Sequence, residues 1–188
     1  MNLIIFGPPG AGKGTQADFI VKKYNLFQLS TGEIFRNEIK NKTDLGIKIF
    51  SAINGGSLVS DDIVKKSVEI FISDEKYKNK LIFDGYPRNL IQAKTLKELL
   101  SKYNQKIDLV LKLSVSLETI KKRIVERRTL EKRADDSEEI AIKRYKTYEK
   151  STEPVIEYYK KLNLLKVIDG ERSIDQINKE ISDIISLI

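Results

Sequence analysis

Residues 7–15 read GPPGAGKGT, and the chemistry this string suits is the gripping of a polyphosphate. Glycines at 7, 10, 12 and 14 remove the Cβ atoms that would hold backbone N–H groups away from an anion, and they accept the positive φ angles such a loop uses. Lys13 adds a point charge, and Thr15 adds a hydroxyl suited to the water shell of a magnesium ion. An apolar run precedes the string at residues 2–6, and helical spacing follows it at Ala17, Phe19, Ile20 and Tyr24. The loop therefore reads as a strand-to-helix turn, where unpaired N–H groups and the helix dipole point positive charge at a ligand. A glycine-rich turn that binds nothing has no need of lysine, hydroxyl, strand and helix together. The loop leaves the reaction open.

The rest of the composition narrows it. The chain has no cysteine and no histidine, which excludes disulfides, thiolate zinc sites and an imidazole base. Its formal charge is +7 with a pI near 9.3, a balance that fits anionic small molecules or nucleic acid. Only eight of the 34 basic residues are arginine, at 36, 88, 123, 127, 128, 133, 144 and 172. Arginine grips phosphate with a planar two-pronged fork, so these are candidate ligand contacts, with chance placement on the surface as the alternative for each one alone. A length of 188 residues with 40% hydrophobic and 32% charged content suits a single globular domain. No apolar run approaches the roughly 20 residues of a membrane helix. The chain opens directly on a strand pattern, which leads us to expect no signal peptide and a cytoplasmic enzyme.

These groups must be positioned by the elements around them. Beyond the first run, apolar segments at 26–29, 80–84, 108–113 and 164–169 read as buried strands. Helical periodicity occupies about 33–40, 45–54, 61–71, 90–102, 117–127, 137–162 and 173–187. Alternation of strand and helix implies a parallel sheet covered on both faces, with ligands at the carboxyl ends of the strands. Asp84 closes one such run. Residues 30–59 insert helices between the second and third strands. Residues 126–136 (ERRTLEKRADD) form a charged segment between two helices, which reads as a flap or as a solvated turn.

Blocks along almost the whole chain carry a resemblance: GPPGAGKGTQ at 7–16, STGEIFR at 30–36, GGSLVSDD at 55–62, DGYPRNLIQA at 84–93, RIVERR at 123–128, RADD at 133–136 and KRYKTYEKSTEPV at 143–155. In this order they resemble the adenylate kinases, in the form with a short flap. The resemblance implies a P-loop NTPase-type three-layer α/β/α sandwich with a central parallel five-stranded sheet. It implies a single kinase domain over 1–188, with a core at 1–29, 60–125 and 137–188, an AMP-binding subdomain at 30–59 and a short LID flap at 126–136. The activity implied is reversible transfer of the γ-phosphoryl group of magnesium ATP to AMP, giving two ADP, by a monomeric cytoplasmic enzyme that needs no zinc and has no nucleic-acid or membrane partner. An AMP oxygen is already anionic at neutral pH, so the missing histidine is no obstacle. The reaction needs two polyanions held in line, with their repulsion cancelled and water kept away.

Carried over by motif position, the resemblance assigns catalytic roles to Lys13, Arg88, Arg127, Arg133 and Arg144. ATP falls to Gly10, Ala11, Gly12, Lys13, Gly14 and Thr15, with Arg127 on its phosphates, Arg123 against its adenine, where a guanidinium can stack on a base, and Arg172 beneath it, chiefly through backbone. AMP falls to Thr31, Arg36, the segment Ser57, Leu58 and Val59, the block Gly85, Tyr86, Pro87 and Arg88, then Gln92, Arg133 and Arg144. Asp84 and Thr15 serve magnesium, Asp84 through water, with a turn-capping role as the alternative for Asp84. Asp135 and Asp136 match the family pair after the flap arginine and equally suit a helix cap. Tyr158 and Tyr159 read as core. The UMP/CMP kinases share the loop and the aspartate block but differ at the acceptor base. Ser30-Thr31-Gly32 and Gln92 match the adenylate pattern, and the Gln92 amide can pair with donor and acceptor on an adenine edge. A nucleotide-controlled binding protein is the reading outside the enzyme class, favoured only by the basic charge.

Overall fold

The computed structural model describes residues 1–131 and 138–188, with side chains described for 1–127 and 139–188. Five strands, β1 (Leu3–Phe6), β2 (Phe27–Ser30), β3 (Leu81–Asp84), β4 (Leu109–Ser114) and β5 (Leu165–Asp169), form one parallel sheet in the order β2-β3-β1-β4-β5. Between them run α1 (Lys13–Tyr24), α2 (Thr31–Lys40), α3 (Asp44–Asn54), α4 (Asp61–Ser73), α5 (Leu90–Lys102), α6 (Leu117–Glu131), α7 (Glu138–Lys161) and α8 (Ile174–Ile185). The three-layer architecture is the one the sequence implies.

The sheet is buried on both faces because successive strand residues point to opposite sides. Leu3, Ile5, Ile82, Leu109, Leu111 and Leu113 pack with Ala17 and Ile20 of α1 and with Ile177, Ile181 and Ile185 of α8. Ile4, Phe6, Leu29, Leu81, Phe83 and Val110 pack on the other face with Val64, Val68 and Ile72 of α4, Ala93, Leu96 and Leu100 of α5, and Val155, Ile156 and Tyr159 of α7. Tyr159 meets Tyr158 edge to face, with ring centroids 5.1 Å apart, and is almost fully buried, which bears out its reading as core. Phe35 of α2 and Ile49 of α3 join this second core, so the inserted helices are anchored on the same apolar layer as the sheet. At their crossing a Cβ on Gly46 would lie 2.2 Å from the Glu38 carbonyl oxygen, and only glycine lets the two backbones approach so closely.

Strand register decides where chemistry can occur. Ser30 pairs with Asp84, Ile5 with Asp84, and Phe6 with Lys112. β2 and β3 thus end level, β1 runs one residue further and β4 two beyond β1, and the loop at 7–15, the β2–α2 junction and the β3–α5 turn open on one edge. The expected break at 126 is not a break in the helix. α6 continues to Glu131, because Glu, Arg and Leu are helix formers and no Gly or Pro interrupts them. The remainder of the expected flap, including Arg133, Asp135 and Asp136, lies outside the described residues.

Candidate active site

Two glycines shape the phosphate loop. Gly10 has φ +83°, and a Cβ there would stand 3.1 Å from Ile124 Cγ1 and 3.3 Å from the Ile120 carbonyl oxygen, so α6 packs directly on the loop. Gly12, at φ +92°, is the N-cap of α1 and supplies no side-chain cap. The first-turn N–H groups of α1 are therefore left for a ligand. Gly10, Gly12, Lys13, Gly14 and Thr15 all line a cleft of about 510 Å³. Ala11 is buried behind them, and its carbonyl accepts from Arg123 Nη1 at 3.3 Å.

Around the same cleft stand Arg36, Arg88, Arg123, Arg127 and Arg144, together with Asp84. Lys13 Nζ donates to the carbonyls of Gly7 at 2.7 Å and Pro8 at 3.0 Å. Burial holds its pKa down to about 8; Asp84 opposes the shift, while Arg144, Arg88 and Arg127 add to it. Burial also lowers Arg88, to about 10, with Arg144 and Arg36 pushing the same way and Asp84 opposing. Such shifts mean that cations are packed against one another in a partly dry space, an arrangement that favours a bound polyanion. Arg88 Nε donates to the Gly85 carbonyl at 2.6 Å, and Thr31 Oγ1 donates to the same oxygen at 2.9 Å. Gly85 sits at φ +75°, where a Cβ would lie 3.0 Å from Arg88 Nη2.

A smaller cavity adjoins the cleft, lined by Thr31, Phe35, Ile53, Leu58, Val59, Val64, Gly85, Arg88 and Gln92. Gln92 is only 3% exposed, so it is not a surface side chain. Ser57, Leu58 and Pro87 line the main cleft. Tyr86 lines neither cavity. Its ring is buried against Phe83, its hydroxyl donates to the Gln92 carbonyl at 3.2 Å, and the peptide joining it to Pro87 is cis. Arg123 Nη2 donates to the Gly170 carbonyl at 2.9 Å, so this guanidinium ties the phosphate loop to the turn after β5. Arg172 is absent from the cleft wall; its guanidinium is engaged by Glu180 of α8 and lies 3.7 Å from Asp169.

The family model for adenylate kinase matches residues 5–164. Curated adenylate kinases align along nearly the whole chain: that of Pelagibacter ubique is 46% identical with 100% of both chains covered, that of Bifidobacterium longum 41% identical with 96% of this chain and 97% of its own, and that of Fusobacterium nucleatum 40% identical with 98% of each. The chain belongs to the adenylate kinase family. It is accordingly a phosphotransferase. As a family member it uses magnesium with its nucleotide, and the donors present fit that ion: a carboxylate at Asp84 and a hydroxyl at Thr15 are hard oxygen ligands, and both line the cleft. Among the described residues no group of three or more His, Cys, Asp or Glu is arranged to cage a metal, which suits an ion carried mainly by phosphates and water.

Several adenylate kinase cleft residues escaped the sequence reading. Gln28 lines the cleft and donates from Nε2 to Asp84 Oδ2 at 3.0 Å; a glutamine amid an apolar strand, one side-chain period from Ser30, was the available signal. Thr147, Tyr148, Ser151 and Thr152 also line it, continuing from Arg144 along one face of α7 with helical spacing. The Tyr148 hydroxyl is buried with no hydrogen-bond partner among the described residues, and burial raises its pKa well above the usual phenol range. No helix among the described residues is long and apolar enough to cross a membrane.

Proposed function

We propose that this cleft holds ATP and AMP end to end and that its cations carry the reaction. The reaction is reversible transfer of the terminal phosphoryl group of MgATP to AMP, giving two ADP. The observation that carries the residue assignments is the convergence of Lys13, Arg36, Arg88, Arg127 and Arg144 on one cleft, with Asp84 among them. The loop N–H groups and Lys13 hold the ATP phosphates; Arg36 and Arg88 hold the AMP phosphate. Arg127 and Arg144, with Arg133 from the flap, surround the group in transfer, where negative charge spreads over its oxygens. Thr15, and Asp84 through water, would hold magnesium, which would offset part of that charge.

The acceptor base packs against Thr31, Val59 and Gln92, where the smaller cavity, at about 20 Å³, must widen to admit it, and the donor base lies by Arg123 and the Gly170 turn, with the Arg172 backbone beneath it. The insert at 30–59 serves AMP and the flap at 126–136 serves ATP, both covering a core at 1–29, 60–125 and 137–188. The enzyme works as a cytoplasmic monomer without zinc, nucleic acid or membrane. Absence of cysteine and histidine from the sequence supports the zinc-free reading. Assaying AMP, UMP, CMP and GMP as acceptors from MgATP tests it: AMP is the fastest, and a faster UMP or CMP would make the chain a pyrimidine nucleotide kinase. A bis-adenosine ligand bridged by five phosphates competes with both substrates, and failure to do so would overturn the two-site cleft.

A further inference from the structure

Asp61 stands outside both cavities, at the first residue of α4, yet it accepts from two side-chain amides. Gln92 Nε2 donates to its Oδ1 at 2.7 Å, and Asn89 Nδ2 donates to Oδ1 at 3.0 Å and Oδ2 at 3.3 Å. On the other side of the Gln92 amide, Oε1 accepts from the Arg88 backbone N–H at 2.7 Å. Asn89 also caps α5, its Oδ1 accepting from the Gln92 backbone N–H at 2.8 Å. A carboxylate can only accept and a backbone N–H can only donate. These two neighbours therefore force the amide into one orientation, nitrogen toward Asp61 and oxygen toward Arg88, whichever way an isolated amide would prefer to lie.

Each end of the amide keeps one unused group, an N–H on nitrogen and a lone pair on oxygen. Their order in space is fixed by the pair that is already taken. An adenine edge offers an amino donor beside a ring-nitrogen acceptor and complements one order. Guanine places a carbonyl acceptor where adenine has its amino group, so it meets the wrong end. A glutamine free to flip would serve either purine.

We propose that Asp61 is a positioning residue for acceptor selectivity: by locking the Gln92 amide it makes the acceptor site choose a 6-amino purine over a 6-oxo purine. This rests on the reading above that Gln92 contacts the acceptor base. The lock also reaches the phosphate side, because the Arg88 N–H it engages belongs to the residue assigned to the AMP phosphate.

The test compares kcat and KM for AMP and GMP, with MgATP saturating, in the parent enzyme and in Gln92→Ala, Asp61→Asn and Asp61→Ser. An asparagine presents either an oxygen or an NH2 to Gln92, so the Arg88 N–H alone is left to orient the amide and the lock is weakened. The AMP-over-GMP ratio of kcat/KM falls by about tenfold or more in Asp61→Asn, the scale of one misplaced bidentate base contact. Most of the change sits in the KM for AMP, while the KM for ATP stays at the parent value. Asp61→Ser shows the same loss of selectivity and covers the case in which the asparagine variant fails to fold. A Gln92→Ala variant that keeps the parent ratio would overturn the reading of Gln92 and the proposal with it. Loss of the ratio in Gln92→Ala with no loss in either folded Asp61 variant would overturn the proposal alone, as would a fall in kcat equal for both acceptors.

Discussion

The two ends of the cleft offer different kinds of contact. At the loop end the contacts offered are backbone: first-turn N–H groups behind Gly12, Lys13 braced on the carbonyls of Gly7 and Pro8, and Arg123 spanning the carbonyls of Ala11 and Gly170. At the insert end they are side chains tied to one another, Thr31 and Arg88 on the Gly85 carbonyl and Asn89 and Gln92 on Asp61. Backbone and point charge bind any triphosphate, since every nucleotide carries the same phosphates. Fixed amides read a base edge. On the proposed assignment the loop end serves charge and the insert end identity, and the two meet where Arg88 and Lys13 share Asp84.

The sharpest break of this division is Arg88→Ala, which removes charge where both ends meet. Turnover falls by about 100- to 1,000-fold, the scale for losing one preorganised charge stabiliser. The thermal midpoint of the nucleotide-free protein does not fall with it, because Arg88 is held among Arg36 and Arg144, which disfavour its charge. Steady-state kinetics and calorimetry check the pair of outcomes; an unchanged rate with a much lower midpoint would make Arg88 structural.

Next in size come two glycine substitutions that separate the ends. Alanine at Gly10 meets Ile124 and alanine at Gly85 meets Arg88, each at a positive φ, and the left-handed penalty of about 1–2 kcal/mol alone corresponds to about 5- to 30-fold. Gly10→Ala raises the KM for ATP and leaves that for AMP, whereas Gly85→Ala does the reverse. If both substitutions moved both constants equally, the ends would not be separable.

What was legible in the sequence follows the same division. The loop end is a contiguous string whose mechanism is local, so Gly10 to Thr15 could be placed from residue types alone. Strands were legible to within a residue. Leu26 is apolar and buried, but its N–H bonds to the Val21 carbonyl at the exit of α1, while Ser30, polar, extends the ladder opposite Asp84. The insert end depends on pairs far apart in the chain. Asp61 and Gln92 belong to different helices, and nothing in either segment announces the partner. Arg172 reads as lying beneath the donor base chiefly through its backbone, and the partner of its guanidinium, Glu180, eight residues on along α8, is not announced by the local sequence.

A pH profile sharpens the loop end specifically. Lys13 loses its proton near pH 8 in the free protein, well below an ordinary lysine. Below that value the buried charge opposes folding in full. As pH rises toward the unfolded lysine's pKa, the unfolded chain holds more protons than the native one, so the nucleotide-free protein gains stability over that window. Triphosphate binding runs the other way, because the bound anion wants the proton kept. From about pH 7 to about pH 9 the affinity for ATP falls by up to about tenfold, with proton uptake on binding above pH 8, while the affinity for AMP changes less. Calorimetry in buffers of different ionisation enthalpy reads the proton directly, and Lys13→Met removes both effects.

The smallest effect is expected where the division is crossed. Gln28 comes from β2, the strand that leads into the insert, yet it donates to Asp84, the carboxylate assigned to magnesium at the loop end. Leucine at this position keeps the volume and removes the donor. The Asp84 carboxylate then loses one charge-assisted hydrogen bond, which water in the open cleft partly replaces, for a net change of about 0.5–1.5 kcal/mol, or about two- to tenfold. Because Gln28 acts through Asp84, the loss appears as a higher magnesium concentration at half-maximal rate and as weaker magnesium dependence of ADP binding, with the KM for AMP unmoved. A rise in the KM for AMP instead would place Gln28 in the acceptor site, and the loop end would then be as self-contained in its side chains as it is in its backbone.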